Sequence, residues 1–167
     1  MAQCPICKRG IIQPRGNKQS KILIIAPSPT LDDLKQGYPF AGIYGGIMRT
    51  ELAKWGVDLF QLRYTCLWLH DIIKKDEAEK EWHMQQAIQE AIGKEAILML
   101  GTEVVGAFFP SKTATSVSGI PMKADLLSAP LVVGTLNPLG LIQGSHGEFL
   151  LAIHKFTTLI KERKLYE

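Results

Sequence analysis

Residues 21–30 read KILIIAPSPT: five apolar residues, Ile22 to Ala26, then Pro27, Ser28, Pro29 and Thr30. A short β-branched run stopped by proline predicts a strand buried on both faces and followed by a loop. Three further stretches repeat the pattern: LFQLRYTCLWLH (59–70), EAILMLG (95–101) and PLVVG (130–134). Between them lie segments with helical spacing: GGIMRTELAKWG (45–56), KKDEAEKEWHMQQAIQEAIG (74–93) and TEVVGAFF (102–109). An amphipathic stretch, GEFLLAIHKFTTLIKERK (147–164), follows the last strand. Alternating strands and helices predict a three-layer αβα fold around a four-stranded parallel sheet. In such sheets a ligand site lies beyond the carboxyl ends of the strands. Here those ends are APSPT (26–30), CLWLH (66–70), LGTEV (100–104) and GTLNP (134–138).

The chain has 167 residues, enough for one domain with a real core; residues 1–20 read as a knuckle plus linker. A net charge of +3 permits a polyanionic partner without requiring one. No apolar run approaches the ~20 residues of a membrane span. The N-terminus lacks the layout of a signal peptide, and three cysteines make no disulfide framework, so a reducing, cytoplasmic setting is expected. Nothing in the sequence fixes the oligomeric state; a monomer is the working expectation.

Two segments look chemical. GTLNPLGLIQG (134–144) turns at Asn137-Pro138 and carries bare apolar residues, Leu139, Leu141 and Ile142, in a loop. CPIC (4–7) is a Cys-x-x-Cys pair, which together with histidines elsewhere is a zinc signal.

The stretch KILIIAPSPTLDDLKQGYPFAGIYGGIMRTELAKWGVD (21–58) resembles the uracil-DNA glycosylase superfamily, most closely its iron–sulfur branch, family 4. The family pattern Gly-x-Pro-Phe-x-Gly-x-x-Gly is met by Gly37, Pro39, Phe40, Gly42 and Gly45. EAILMLGTEVV (95–105) matches a later family segment, and NPLGL (137–141) is similar to the Asn-Pro-Ser-Gly-Leu loop of the mismatch-specific branch. The resemblance implies a DNA partner and removal of uracil or a related pyrimidine from a flipped nucleotide. It implies Asn137 as the donor to the leaving base and Ser28 as the holder of water. Phe40 would stack on the base, with Pro27 and Cys66 beside it. Gly42, Gly45, Pro138, Leu139, Gly140 and Leu141 would meet DNA, a leucine wedging into the gap.

The chain departs from the pattern at its chemistry. Pro27 stands at the family's Glu, Ser28 cannot act as a general base near neutral pH, and Cys66 replaces the Asn that reads uracil. Asp32 and Asp33 could supply a carboxylate, although a helix N-terminus also favours Asp. In family 4 the Cys pair joins two later cysteines around a 4Fe–4S cluster. Here the pair is Cys4 and Cys7, His70 falls at the third position and His83 near the fourth; two thiolates and two imidazoles suit Zn²⁺ better than a cluster. His146 and His154 are spare candidates. The rival expectations are a non-catalytic DNA-binding or protein-interaction module, and a zinc-bearing protein acting on free nucleotides.

Overall fold

A computed structural model describes residues 2–72, 74, 76–138 and 146–166. The first four elements are β1 (Arg15–Gly16), β2 (Ile22–Ala26), α1 (Leu31–Gln36) and α2 (Ile43–Ala53). After β3 (Arg63–Cys66) come α3 (Glu77–Ala91), β4 (Ala96–Leu100), α4 (Thr102–Phe108) and α5 (Ala114–Val117). The chain closes with β5 (Pro121–Met122), β6 (Leu131–Thr135) and α6 (His146–Glu162).

The sheet is six-stranded and mixed, in the order β1-β3-β2-β4-β6-β5, not the four-stranded parallel sheet expected. Strands β3, β2, β4 and β6 run parallel, while β1 and β5 add antiparallel edges. The edges escaped notice because each is two residues long and has no apolar alternation to reveal it. β1 also changes the standing of residues 1–20. Arg15 pairs with Tyr64, Ile12 donates its N–H to the Leu69 carbonyl at 2.8 Å, and Ile12 is buried.

Period-two alternation splits each parallel strand between two cores. Ile22, Ile24 and Ala26 face a cluster with Met48 and Leu52 of α2 and Phe149, Ile153, Phe156 and Ile160 of α6. Leu23 and Ile25 face the other side, with Ala87 and Ala91 of α3 and Val104, Val105 and Phe108 of α4. Helices therefore cover both faces. No helix among the described residues is long and apolar enough to cross a membrane.

Because β2 pairs with β3 on one side and β4 on the other, the chain reverses direction across the sheet at β2. Such a switch point opens a crevice at the carboxyl ends of the strands. The rim is stitched there: Leu67 donates to the Ala26 carbonyl at 2.7 Å and Trp68 to the Pro27 carbonyl at 3.0 Å. Asp33 adds a second tie. Its carboxylate accepts from the Thr30 N–H at 3.1 Å, completing a capping box on α1, and from the Ala41 N–H at 2.9 Å. The loop after β2 is thus fastened to the loop before α2. Asp33→Ala leaves two partly buried donors without partners, so it should lower unfolding free energy by about 1–3 kcal/mol in urea titration.

Candidate functional site

The switch-point rim gathers residues from four loops. Gly101 follows β4 at φ +91°, which disfavours a side chain, and a Cβ there would lie 3.1 Å from Pro27 Cγ and 3.5 Å from Asn137 Cβ. Pro27, Gly101 and Asn137, at the ends of β2, β4 and β6, are therefore neighbours. Tyr44, in the first turn of α2, hydrogen-bonds with the Asn137 side chain. Burial raises the Tyr44 phenol above its ordinary value, the Asn137 bond opposing, so it is a neutral hydroxyl near pH 7. Tyr44, Phe40 and Cys66 belong to one buried cluster. Burial also pushes the Cys66 thiol well up, with the nearby Asp33 charge adding, so it too stays protonated.

Phe40 is only 4 % exposed, and its ring meets that of Tyr64 with centroids 5.5 Å apart and planes tilted by 55°. Its backbone sits at φ +60°, a left-handed conformation that costs a bulky residue of order 1 kcal/mol or more. The glycine spacing explains how that shape is tolerated. A Cβ at Gly45 would fall 1.8 Å from the Phe40 carbonyl oxygen, so only glycine lets α2 start this close. Gly42 is the N-cap of α2, and a Cβ there would meet the Asp32 carboxylate at 2.6 Å. Both glycines are thus required by packing within the chain, quite apart from any phosphate.

The remaining rim residues divide. Ser28 is half-buried in the loop after β2, and no described residue hydrogen-bonds its hydroxyl. Pro138, expected to touch DNA, is buried and offers no surface to a duplex. Leu139, Gly140, Leu141 and Ile142 lie outside the described residues. Asp33 is committed to the two N–H groups named above, which leaves the capping role expected of it and no catalytic one. His154 is exposed and stacks on Trp55 at 3.7 Å between ring centroids, away from any metal ligand. For His146 the backbone alone is described.

A second site lies where the N-terminal segment meets β3 and α3. Cys4 Sγ, Cys7 Sγ, one ring nitrogen of His70 and a carboxylate oxygen of Glu79 all lie within 4.8 Å of one another and could hold a metal ion. Cys7 Sγ is 3.4 Å from His70 Nε2, Cys4 Sγ 3.7 Å from Glu79 Oε1, and His70 Nε2 2.8 Å from Glu79 Oε1. Ligand atoms around one tetrahedral ion sit roughly 3.3–3.8 Å apart, so the group is close to that size. The local chain explains the assembly. The Cys4 N–H donates to Arg9 and its carbonyl accepts from Lys8, a tight turn with Lys8 at φ +65°. On the other side Asp76 caps α3 by accepting from the Glu79 N–H at 3.0 Å, which fixes Glu79 in the first turn.

The fourth donor is Glu79, not His83. His83 stands behind the group, its Nε2 3.1 Å from His70 Nε2 and its Nδ1 accepting from the Leu69 N–H at 3.2 Å. That bond puts the His83 proton on Nε2. His70 has the opposite tautomer, since its Nδ1 donates to the Asp71 carbonyl at 2.9 Å. The Nε2 lone pair of His70 therefore lies among the His83 N–H, the Cys7 thiol and the Glu79 carboxylate, and binding a metal ion there would replace the His83 contact and the thiol protons. Arg9 borders the group, bonding the Asp71 carbonyl at 2.8 Å and lying 3.8 Å from Glu79. Burial, with Glu79 adding, raises the Cys7 thiol, so without a cation Cys7 is not a reactive thiolate.

Sequence reasoning missed Glu79 and Tyr44. Glu79 had a signal: it lies one helical turn before His83, on the same face of a helix that was foreseen. Tyr44 had none, because its role depends on meeting Asn137 across the sheet rim. No protein-family model matches this chain, and no curated protein matches it in sequence.

Two outcomes follow at the metal group. Glu79→Ala should strip bound metal while His83→Ala retains it, read by elemental analysis of the purified protein. His83 is fully buried, and burial pushes its pKa from 6.5 down to about 4. An imidazole held neutral in the folded state contributes stability above pH 6.5 that is lost as pH falls toward 4. Unfolding free energy should drop by up to about 3 kcal/mol across that window, less in His83→Gln.

Proposed function

We propose that the protein is a glycosylase-type hydrolase that cleaves the N-glycosidic bond of a pyrimidine rotated out of DNA. The observation that carries this reading is the convergence of Pro27, Phe40, Tyr44, Cys66 and Asn137 at the switch-point rim. As the bond from C1′ to the base nitrogen breaks, its electron pair moves onto the base. The Asn137 amide donates a hydrogen bond to the oxygen that gains this charge. Tyr44 holds that amide in place, and the Ser28 hydroxyl holds the water whose oxygen attacks C1′. The attacking water gives its proton to solvent, the Asp33 carboxylate being held by the Thr30 and Ala41 N–H groups. Excision is accordingly slow. Cys66 is buried and neutral and supplies no strong donor or acceptor to the base edge, so that edge is read loosely and substituted pyrimidines are accepted.

The donor group fits zinc by its chemistry: two sulfurs, an imidazole and a carboxylate oxygen around one ion. A 4Fe–4S cluster is held by four thiolates, and this group contains two. When bound, the ion supplies structural cross-linking. Cys4 and Cys7 then fasten the N-terminal segment to His70 and Glu79, four residues beyond Cys66 and at the start of α3. The commitment of Asp33 to backbone donors favours one rival, a scaffold that extrudes a base without cutting it.

The test is incubation with labelled single-stranded and duplex oligonucleotides carrying uracil, hydroxymethyluracil, a thymine mismatch or hypoxanthine. Alkali-labile abasic sites should form, at a rate cut about 10²–10³-fold in Asn137→Ala. Tight binding with no base release at stoichiometric enzyme would exclude the hydrolase and leave the scaffold.

A further inference from the structure

Away from the rim, a cleft of about 520 Å³ opens between β3, the second half of α3 and the N-terminal segment. Its walls include Lys18, Arg63, Thr65, Gln86, Glu90 and Lys94. The strand pattern explains why it is not filled. Arg63 and Thr65 alternate with Tyr64 and Cys66, so the α3-facing side of β3 is polar where that of β2 carries Leu23 and Ile25. An apolar helix face has nothing to pack on there. The N-terminal segment bridges over the gap, touching β3 at Arg15–Gly16 and again at Ile12.

The charges in this cleft do not balance. Glu90 is taken by Arg63 in a two-point pair, at 3.1 Å from Nε and 2.9 Å from Nη2. Lys94 is 8 % exposed and donates to the carbonyls of Lys18 and Ser20. No described carboxylate lies within ion-pair distance of its ammonium. Burial lowers the Lys94 pKa, with Glu90 opposing and Arg63 adding, as befits a cation short of a counter-charge. Lys18 supplies a third cation against the single acid. Thr65 is 1 % exposed, and its hydroxyl has one contact, 3.5 Å to the carbonyl of its neighbour Cys66, at the limit of a hydrogen bond. A buried ammonium bonded to carbonyls but to no described carboxylate, and a buried hydroxyl with one long hydrogen bond, line the same cavity, and an anion there would supply the missing counter-charge.

We propose that this cleft is a binding site for an organic phosphate of about nucleoside-monophosphate size. The excess positive charge selects an anion. The volume is many times that of an inorganic ion and falls in the range of about 300–1,000 Å³ that holds organic ligands. The Gln86 amide offers both a donor and an acceptor to sugar hydroxyls or a base edge. The site is separate from the rim and stands whether or not the protein cuts DNA.

The test is calorimetric titration of the whole protein at low salt with uridine 5′-monophosphate, ribose 5-phosphate and inorganic phosphate. An organic phosphate should bind saturably, and Thr65→Val should weaken it about 10-fold or more while Thr65→Ser does not. Lys18→Glu, a surface change that spares the fold, should weaken it as well, and Asn137→Ala should leave it unchanged. The proposal is overturned by any of four results. These are no saturable binding at millimolar ligand, inorganic phosphate binding as tightly as the organic ligands, affinity untouched by both Thr65→Val and Lys18→Glu, or binding lost in Asn137→Ala.

Discussion

Strand β2 is hydrogen-bonded along both edges, to β3 over Leu23–Ala26 and to β4 over Ile22–Ile25. That double pairing forces the chain to leave β2 on one side and return on the other. The ends of β2, β4 and β6 then lie side by side with no element between them, and Pro27, Gly101 and Asn137 meet. Remove the reversal and these residues would sit on unrelated loops. The loops are held by polar ties in addition to the apolar packing of Phe40 and Tyr44. Asp33 joins Thr30 to Ala41, and the Ala26 and Pro27 carbonyls receive the N–H groups of Leu67 and Trp68. Packing and short hydrogen-bonded tethers together hold these loops in one arrangement.

The N-terminal segment obeys a different constraint. Residues 2–20 contain few large apolar side chains, and one of them, Ile6, is exposed, so burial alone is a weak anchor. Four donor atoms gathered from Cys4, Cys7, His70 and Glu79 substitute for that missing core. Around them His83 carries its proton on Nε2 and directs it at the His70 Nε2, His70 donates from Nδ1 to the Asp71 carbonyl, and Arg9 offsets the acidic side. Such outer partners orient ligands and set the charge a site can tolerate.

Much of the scaffold was legible in the sequence because burial on both faces leaves an unbroken apolar run. KILIIA, AILML and LVVG each became a parallel strand, and the helices at 43–53, 77–91 and 146–162 fell within or around the periodic segments. The shortest elements were not legible. β1 and β5 are two-residue edges, and α1 and α5, six and four residues long and begun by capping boxes at Thr30 and Thr113, are too short to show an apolar period. At the sites, Cys4, Cys7 and His70 were visible as chemistry because thiols and imidazoles are conspicuous. Glu79 was not, since a glutamate in the first turn of a charged helix looks like ordinary solvated surface. The same holds for Thr65 and Lys94, whose meaning depends on what they fail to bond.

The central claim is that the rim residues receive an extruded base. It is tested most directly by placing 2-aminopurine beside uracil in a duplex and recording its fluorescence as protein is added. Loss of the stacked neighbour should raise the emission saturably, with a smaller rise in Tyr44→Ala than in the parent protein. A duplex that binds while its emission stays flat would contradict the account.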